Sequence, residues 1–423
     1  MSEALAVRAE IEKLARLLET SPEALAYLQA LPPQTIRGVR RRVSDVLFDA
    51  SRDLLQRLAA ATKLVPSATV AMAGRRFFGP LLSARIAALL EPARAAEVAE
   101  RLSPKFLAEV CLHLDPRRAA GIIARIPLAT IVEVARELIA RREYVTLGQF
   151  VGYISTDALT SCVTLAGPDD LLRIAFFIEE PEHLDAVVDT VSDERIADVV
   201  RAAATGEDGW PYAFSLLDRV TGDRHGRLAD IAVAQDDGVL VSMLDAVHAD
   251  GLYSSLLPLL AAMSEASRRR LVGVPAIHKA DRISAIVAAT AEYDLWPALL
   301  TVAEQMPPAT RATLLGLLAD VDETVIESFV DVAVSEELID RALAVLQSVP
   351  EADLRPVLHR IAELDPDLRR RLLDRARDLG HLDQLGPITA ALDAPESAGR
   401  EARAFEGSLT DGLDPHEDWN DVL

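Results

Sequence analysis

Cysteine is nearly absent from this chain: Cys111 and Cys162 are the only two in 423 residues. A disulfide framework or a thiolate metal cage is therefore not on offer, and two free thiols on apolar helix faces are the expected state. Aromatic residues make up 4%, too few for the stacking platforms that single-stranded nucleic acid uses. Lysine occurs only at Lys13, Lys63, Lys105 and Lys279, so nearly all the positive charge is arginine; GC-rich codon usage is the plain reading of that bias. Near the start the apolar, uncharged stretch of residues 64–74 is too short to span a bilayer and is closed by Arg75 and Arg76. The chain also lacks a Gly-rich phosphate loop ahead of a Lys-Ser/Thr pair, a G-x-S-x-G elbow and an H-E-x-x-H helix. The spacing of Cys111-Leu112-His113 puts its two reactive groups on different sides of a helix, so it predicts no dyad. No catalytic group, cofactor or metal ligand is thus expected, and the chain reads as a non-enzyme.

What is abundant is acid and aliphatic side chain. The formal charge is −22 and half the residues are hydrophobic, which disfavours nucleic acid and anionic membrane as general partners and suits an Ala/Leu/Val helical stack with a large core. The charge is unevenly placed: residues 1–80 carry a net +4 and the remainder −26. The opening residues, MSEALAVRAEIEKLARLLE, predict a charged amphipathic helix without the apolar centre of a secretory signal. A reducing cytoplasm is the expected setting.

The strongest pattern is a 43-residue period. Val220, Met263, Met306 and Val349 fall in register, as do Trp210, Tyr253, Trp296 and Ile339, and Leu228, Leu271, Leu314 and Val357. Fixed periods of this length mark helical units that bury their apolar faces on one another. Three helices per copy are predicted: residues 236–249, 251–263 and 265–277 in the second, and 322–335, 337–349 and 351–363 in the fourth. Asp193, Asp236, Asp322 and Asp365 hold the expected cap position; Lys279 breaks the series, with Asp281 two residues on as the substitute. A partial fifth copy, residues 365–391, has Arg369, Arg370, Arg371, Arg375 and Arg377 for a polar outer surface. These copies, residues 193–391, look like HEAT or armadillo units in period and helicity.

A tighter period precedes it. Leu90-Glu91-Pro92, Leu102-Ser103-Pro104, Leu114-Asp115-Pro116 and Ile126-Pro127-Leu128 lie 12 residues apart, with Val98, Val110, Ile122 and Val134 on one interior register. The residue before proline avoids the α region, and proline suits a helix's first position, so each motif ends one short helix and begins the next. The pattern loosens after Arg141 and resumes at Ile154 and Ala166. These units resemble the cytosolic N domain of MgtE-type magnesium transporters over residues 78–170. The resemblance implies a superhelix of short helices; no acidic position here matches that family's metal ligands.

The expected architecture is all-α: a right-handed α-solenoid of 12-residue units followed by 43-residue three-helix repeats. N-terminal amphipathic helices occupy residues 1–63, the short-helix superhelix 64–192, the longer repeats 193–391, and an acidic disordered tail 392–423. A cluster at Arg37, Arg40, Arg41 and Arg42 reads as a solvated helix face, with docking to the protein's own acidic surface or to an acidic partner as the functional alternative. Arg75-Arg76-Phe77-Phe78 reads as a buried first helix with its arginines in solvent; a membrane interface is the alternative. Glu179-Glu180-Pro181-Glu182-His183 and Glu207-Asp208 read as acidic loops. Trp419, alone among carboxylates, is a candidate linear motif. The function expected is an intracellular scaffold or adaptor binding a protein partner, with Arg37, Arg40, Arg41, Arg42 and Trp419 as candidate contacts. A divalent-cation-responsive regulator and a peripheral membrane organiser built on residues 64–90 are the alternatives.

Overall fold

A computed structural model gives the architecture. It describes residues 2–319 apart from Ser51, Lys63 and Glu207, then Val325, residues 338–350, Leu354, Arg355, Val357, His359 and residues 366–378. The described residues form an all-α structure without a strand. The chain divides into two compact units, residues 1–255 and 256–423.

The first unit opens with α1 (Ser2–Leu17), a 3-10 stretch (Pro22–Ala30) and α2 (Pro33–Asp49). Val7, Ile11, Leu14, Leu25 and Ile36 make a small core of their own. Next come α3 (Arg52–Thr62) and α4 (Ser67–Ala73), which runs through a π turn, Gly74–Phe78, into α5 (Gly79–Ala87). Gly79 adopts φ +70° at that junction, a conformation that favours glycine.

The Leu-x-Pro motifs act as predicted. Proline is the first residue of α6 (Pro92–Ala99), α7 (Pro104–Cys111) and α8 (Pro116–Ile123), and the x residues Glu91, Ser103 and Asp115 cap each one by accepting a backbone N–H. After α9 (Leu128–Ala140) and α10 (Tyr144–Phe150), Ser155 caps α11 (Thr156–Leu165), and 12 residues on Gly167 precedes α12 (Pro168–Phe176). The apolar register runs further than its prolines. Leu90, Leu102, Leu114, Ile126, Leu138, Phe150, Cys162 and Ile174, every twelfth residue, line one apolar cavity of about 220 Å³. Ala87, Ala99, Cys111, Ile123, Ala135, Leu147, Leu159 and Leu171 form a second such line around it. Both cysteines therefore take ordinary places in a repeating interior.

The unit continues through α13 (Pro181–Thr190), α14 (Asp193–Thr205), α15 (Gly209–Leu217), α16 (Arg224–Val233), α17 (Asp237–Asp250) and the start of α18 (Tyr253–Ala262). The second holds α19 (Glu265–Val272), α20 (Ala280–Tyr293), α21 (Trp296–Ala303), α22 (Pro308–Ala319), α23 (Ile339–Gln347) and α24 (Pro366–Asp378). The 43-residue register is visible in the helix starts: Tyr253, Trp296 and Ile339 are each the first residue of a helix, and Trp210 is the second of α15. Val220, Met263, Met306 and Val349 are all buried.

Three local expectations change. Ser192, not Asp193, caps α14, whereas Asp236 caps α17 as expected. Lys279 keeps the cap position of α20 without a side-chain bond, and Asp281 stays in the first turn, where its charge suits the helix dipole. Arg369 is buried, while Arg370, Arg371 and Arg377 are exposed. Asp322 and Asp365, most of the first and third helices of the fourth copy, and the tail from residue 379 with Trp419 lie outside the described residues.

The arginines have a structural use that composition did not reveal. The Arg268 guanidinium donates to the carbonyls of Leu260, Ala261 and Met263 at the end of α18, and Arg311, 43 residues later, to those of Glu304 and Met306 after α21. At the equivalent position in the first unit, His225 Nε2 lies 2.9 Å from Leu217 O at the end of α15. Arg94 caps the carbonyls of Thr62 and Val65, and Arg195 those of Val163 and Ala166, with the same sequence offsets. A planar fork reaches several orphan carbonyls at once, which an ammonium on a lysine stem cannot do.

Candidate interaction site

Within the first unit α1 and α2 lie against later residues of the chain, at Glu143, Glu179, Glu180 and Asp208. Their contact is ionic. Arg37, Arg40, Arg41, Ser44 and Phe48 recur at helical spacing on α2 and share one face. The rule of apolar residues inside would turn that face outward; it is turned inward. Arg40 is only 9% exposed, its Nε 3.2 Å from Glu10 and its Nη2 2.6 Å from Glu179. Arg41 donates to Glu180 at 3.0 Å, and Arg37 to Glu10 at 3.1 Å. Val39 and Val46 face solvent instead. The solvated face expected for this cluster is thus corrected for Arg37, Arg40 and Arg41, and holds for Arg42, which is exposed. The acidic Glu179-Glu180 loop, on the approach to α13, is the receptor.

At the centre lie Glu10 and Lys13, 1% and 3% exposed, joined at 3.1 Å; Lys13 Nζ is also 3.8 Å from Glu179. Burial alone would raise the Glu10 carboxyl, but Lys13, Arg40 and Arg37 together hold it below the ordinary carboxylate value. Burial dominates at Lys13 and pushes its ammonium down despite Glu10 and Glu179. Further contacts tie α1 on either side: Arg16 to Glu143, and Arg8 to Asp208 at 3.2 Å. At the far end of α2, Asp45 accepts from Arg118 at 2.6 Å, and the same guanidinium lies 4.1 Å over the Phe48 ring.

Between α1–α2 and the short helices a polar cleft of about 590 Å³ remains. Lys13, Arg16, Arg40, Arg41, Arg85, Arg117 and Arg118 line it, against Glu19, Asp115, Glu179 and Glu180. Cations exceed anions in the cleft of a protein whose net charge is −22. Most are committed, Arg117 to Asp115 at 2.6 Å for example. Arg85 forms no ion pair or hydrogen bond among the described residues. His113, also in the cleft, is held below its ordinary pKa by burial and then by Arg16 and Arg85, with Glu19 opposing. Cys111 sits across the helix in the apolar cavity, where burial pushes its thiol up to about 12. As the spacing predicted, the two make no dyad.

The Arg75–Phe78 segment divides. Phe78 packs on Leu55, Ala59 and Ile86, whereas Phe77 is 74% exposed beside exposed Arg75 and Arg76, with Leu64 90% exposed nearby in sequence. The wholly buried first helix expected there is corrected for Phe77. Among the described residues no three His, Cys, Asp or Glu side chains are grouped to hold a metal ion, and no helix is long and apolar enough to cross a membrane. No protein-family model matches this chain, and no curated protein is similar to it.

Proposed function

We propose that this chain is a non-catalytic cytoplasmic adaptor, built as a right-handed α-solenoid, that receives an acidic segment of a protein partner in the cleft beside α2. The every-twelfth-residue interior supports a continuous superhelix of MgtE N-like short helices, and the recurring starts and caps 43 residues apart support HEAT-like or armadillo-like units after it. One observation carries the binding reading: the cleft concentrates guanidinium groups, one of them, Arg85, without an ion pair or hydrogen bond among the described residues, within a strongly acidic protein. Such a site attracts carboxylates selectively and rejects bulk polyanions through the surrounding negative field.

A photo-crosslinking residue in place of Gln149, which lines the cleft, tests this in cell extract. The expected products are peptides rich in Asp and Glu, lost in an Arg85→Glu background and suppressed by added salt. Crosslinks without acidic bias, or indifferent to both changes, overturn the assignment.

A second reading, attachment to an anionic membrane surface, is favoured by exposed Phe77 beside exposed Arg75 and Arg76. Co-sedimentation with phosphatidylserine vesicles, lost in Phe77→Ser, supports it; no sedimentation of the wild type removes it.

A further inference from the structure

We infer that the apolar cavity of the first unit is a binding site for a single linear alkyl chain carrying a terminal oxygen, as in a fatty acid, a fatty alcohol or one acyl chain of a lipid. Three observations converge. The first is chemistry: the lining is hydrocarbon apart from Thr62, Ser83, Thr130, Cys111 and Cys162. Water in such a space lacks the two to four polar partners it needs, while an apolar cavity of about 150 Å³ already takes up benzene; this one measures about 220 Å³. The second is shape. The line from Leu90 to Ile174 threads one short helix after another, so the space is extended along the stack and matches a chain better than a ring. Its wall also stays open, since Leu90, Leu102, Leu114 and Ile126 are only partly buried although they point into it. That leaves an entry.

The third observation supplies a polar end. Ser83 Oγ is buried on the cavity wall without a hydrogen-bond partner. An orphan hydroxyl is costly in an apolar wall and signals a partner that binds there. Gly74 faces it, and a Cβ at that position would stand 3.2 Å from the oxygen. The missing Cβ leaves space beside this hydroxyl, where a ligand hydroxyl or carboxyl oxygen can accept its proton. The volume admits one chain and not two, which favours a free single-chain amphiphile over an intact bilayer lipid.

Titration of the full chain with dodecanoate and with dodecanol, read by calorimetry and by isoleucine methyl resonances, tests the site. Saturable uptake of one molecule is expected, with shifts at Ile122, Ile126, Ile131 and Ile154 and none at Ile283 or Ile286 of the second unit. Phosphatidylcholine vesicles in a separate arm identify the source: the same shifts with vesicles alone mean a membrane lipid donates its chain, and shifts with free amphiphile only mean a soluble ligand. Ile126→Trp fills the space and should abolish uptake with helix content unchanged; Ser83→Ala should weaken it several-fold, the worth of one neutral hydrogen bond. Should the tryptophan variant fail to fold, the wild-type methyl map still decides. Absence of saturable uptake, or shifts spread equally over both units, overturns the inference.

Discussion

Replacing Glu10 with glutamine removes the anion on which Lys13, Arg37 and Arg40 converge, while leaving shape and volume almost intact. The three bonds concerned run from 3.1 to 3.2 Å, and the carboxylate is 1% exposed. Its depressed pKa says that the folded site favours the charged form over water. Breaking a buried ion network at one partner costs about 3–5 kcal/mol, because the remaining charges are stranded. Native-state hydrogen exchange at the amides of α1 should therefore accelerate by about two to three and a half orders of magnitude, at roughly 1.4 kcal/mol per decade. Lys13→Met should cost less. That ammonium is pushed down chiefly by burial, so its loss removes a desolvation penalty together with its attraction for Glu10, and Glu10 keeps Arg37 and Arg40. The pH dependence follows from Glu10. A carboxylate with a lowered folded pKa contributes fully above its unfolded value, 4.5, and loses that contribution as pH falls through the folded one. The gap between wild type and Glu10→Gln should hence close in acid. A cost below about 1 kcal/mol for Glu10→Gln, as for a surface pair, or an equal cost for Lys13→Met, refutes the reasoning.

Two further outcomes are expected. Arg268→Ala should destabilise the end of α18 by about 1–3 kcal/mol, since three carbonyls lose their donor, and Arg268→Lys should recover only part of it; a lysine variant with wild-type melting behaviour contradicts the cap. With its thiol pushed from 9.0 to about 12, Cys111 should have a thiolate fraction about a thousandfold below that of the unfolded chain at pH 8, so colorimetric thiol titration should be slow until urea is added, and prompt labelling of the native protein contradicts the raised pKa.

Helix starts and caps were legible because proline, capping residues and apolar spacing act over one turn, where sequence neighbours are spatial neighbours. Glu91, Ser103 and Asp115 illustrate this: each caps a helix that its own next residue, a proline, begins. The register through Leu138, Phe150, Cys162 and Ile174 was harder to see, since it survives without the prolines that announced it and includes a cysteine and a phenylalanine where leucine stood before. The orientation of α2 was not legible. Burial of Arg40 rests on Glu10 and on Glu179, which arrives 139 residues later, and no local pattern encodes that second pairing. A signal did exist in two halves: a basic helix face at Arg37, Arg40 and Arg41, and an acidic loop with no other assigned use. Phe77 and Phe78 separate for a similar reason. Adjacent residues on a helix diverge by about 100°, and only contact with Leu55 and Ile86 decides which of the two is covered.

The charge asymmetry between residues 1–80 and the rest is to a large extent consumed within the first unit. Arg8, Lys13, Arg16, Arg40 and Arg41 meet Asp208, Glu179, Glu143 and Glu180, all drawn from the acidic remainder of the chain. An exposed pair of this kind contributes about 0–1 kcal/mol, so the outer contacts such as Arg8–Asp208 set orientation more than stability. The desolvated centre at Glu10 holds the helices in place. Hydrophobic contact contributes to the local core of α1 and α2, but the seam to Glu179 and Glu180 is polar, and screened pairs weaken with salt while buried ones do not. An acidic partner entering the cleft therefore meets two populations of guanidinium. Those of Arg40 and Arg41 are already matched and can be taken only in exchange for Glu179 and Glu180; that of Arg85 has no partner among the described residues and is available at no such cost. The first contact should fall on Arg85, with the α2 arginines engaged only by a partner acidic enough to outcompete the chain's own carboxylates.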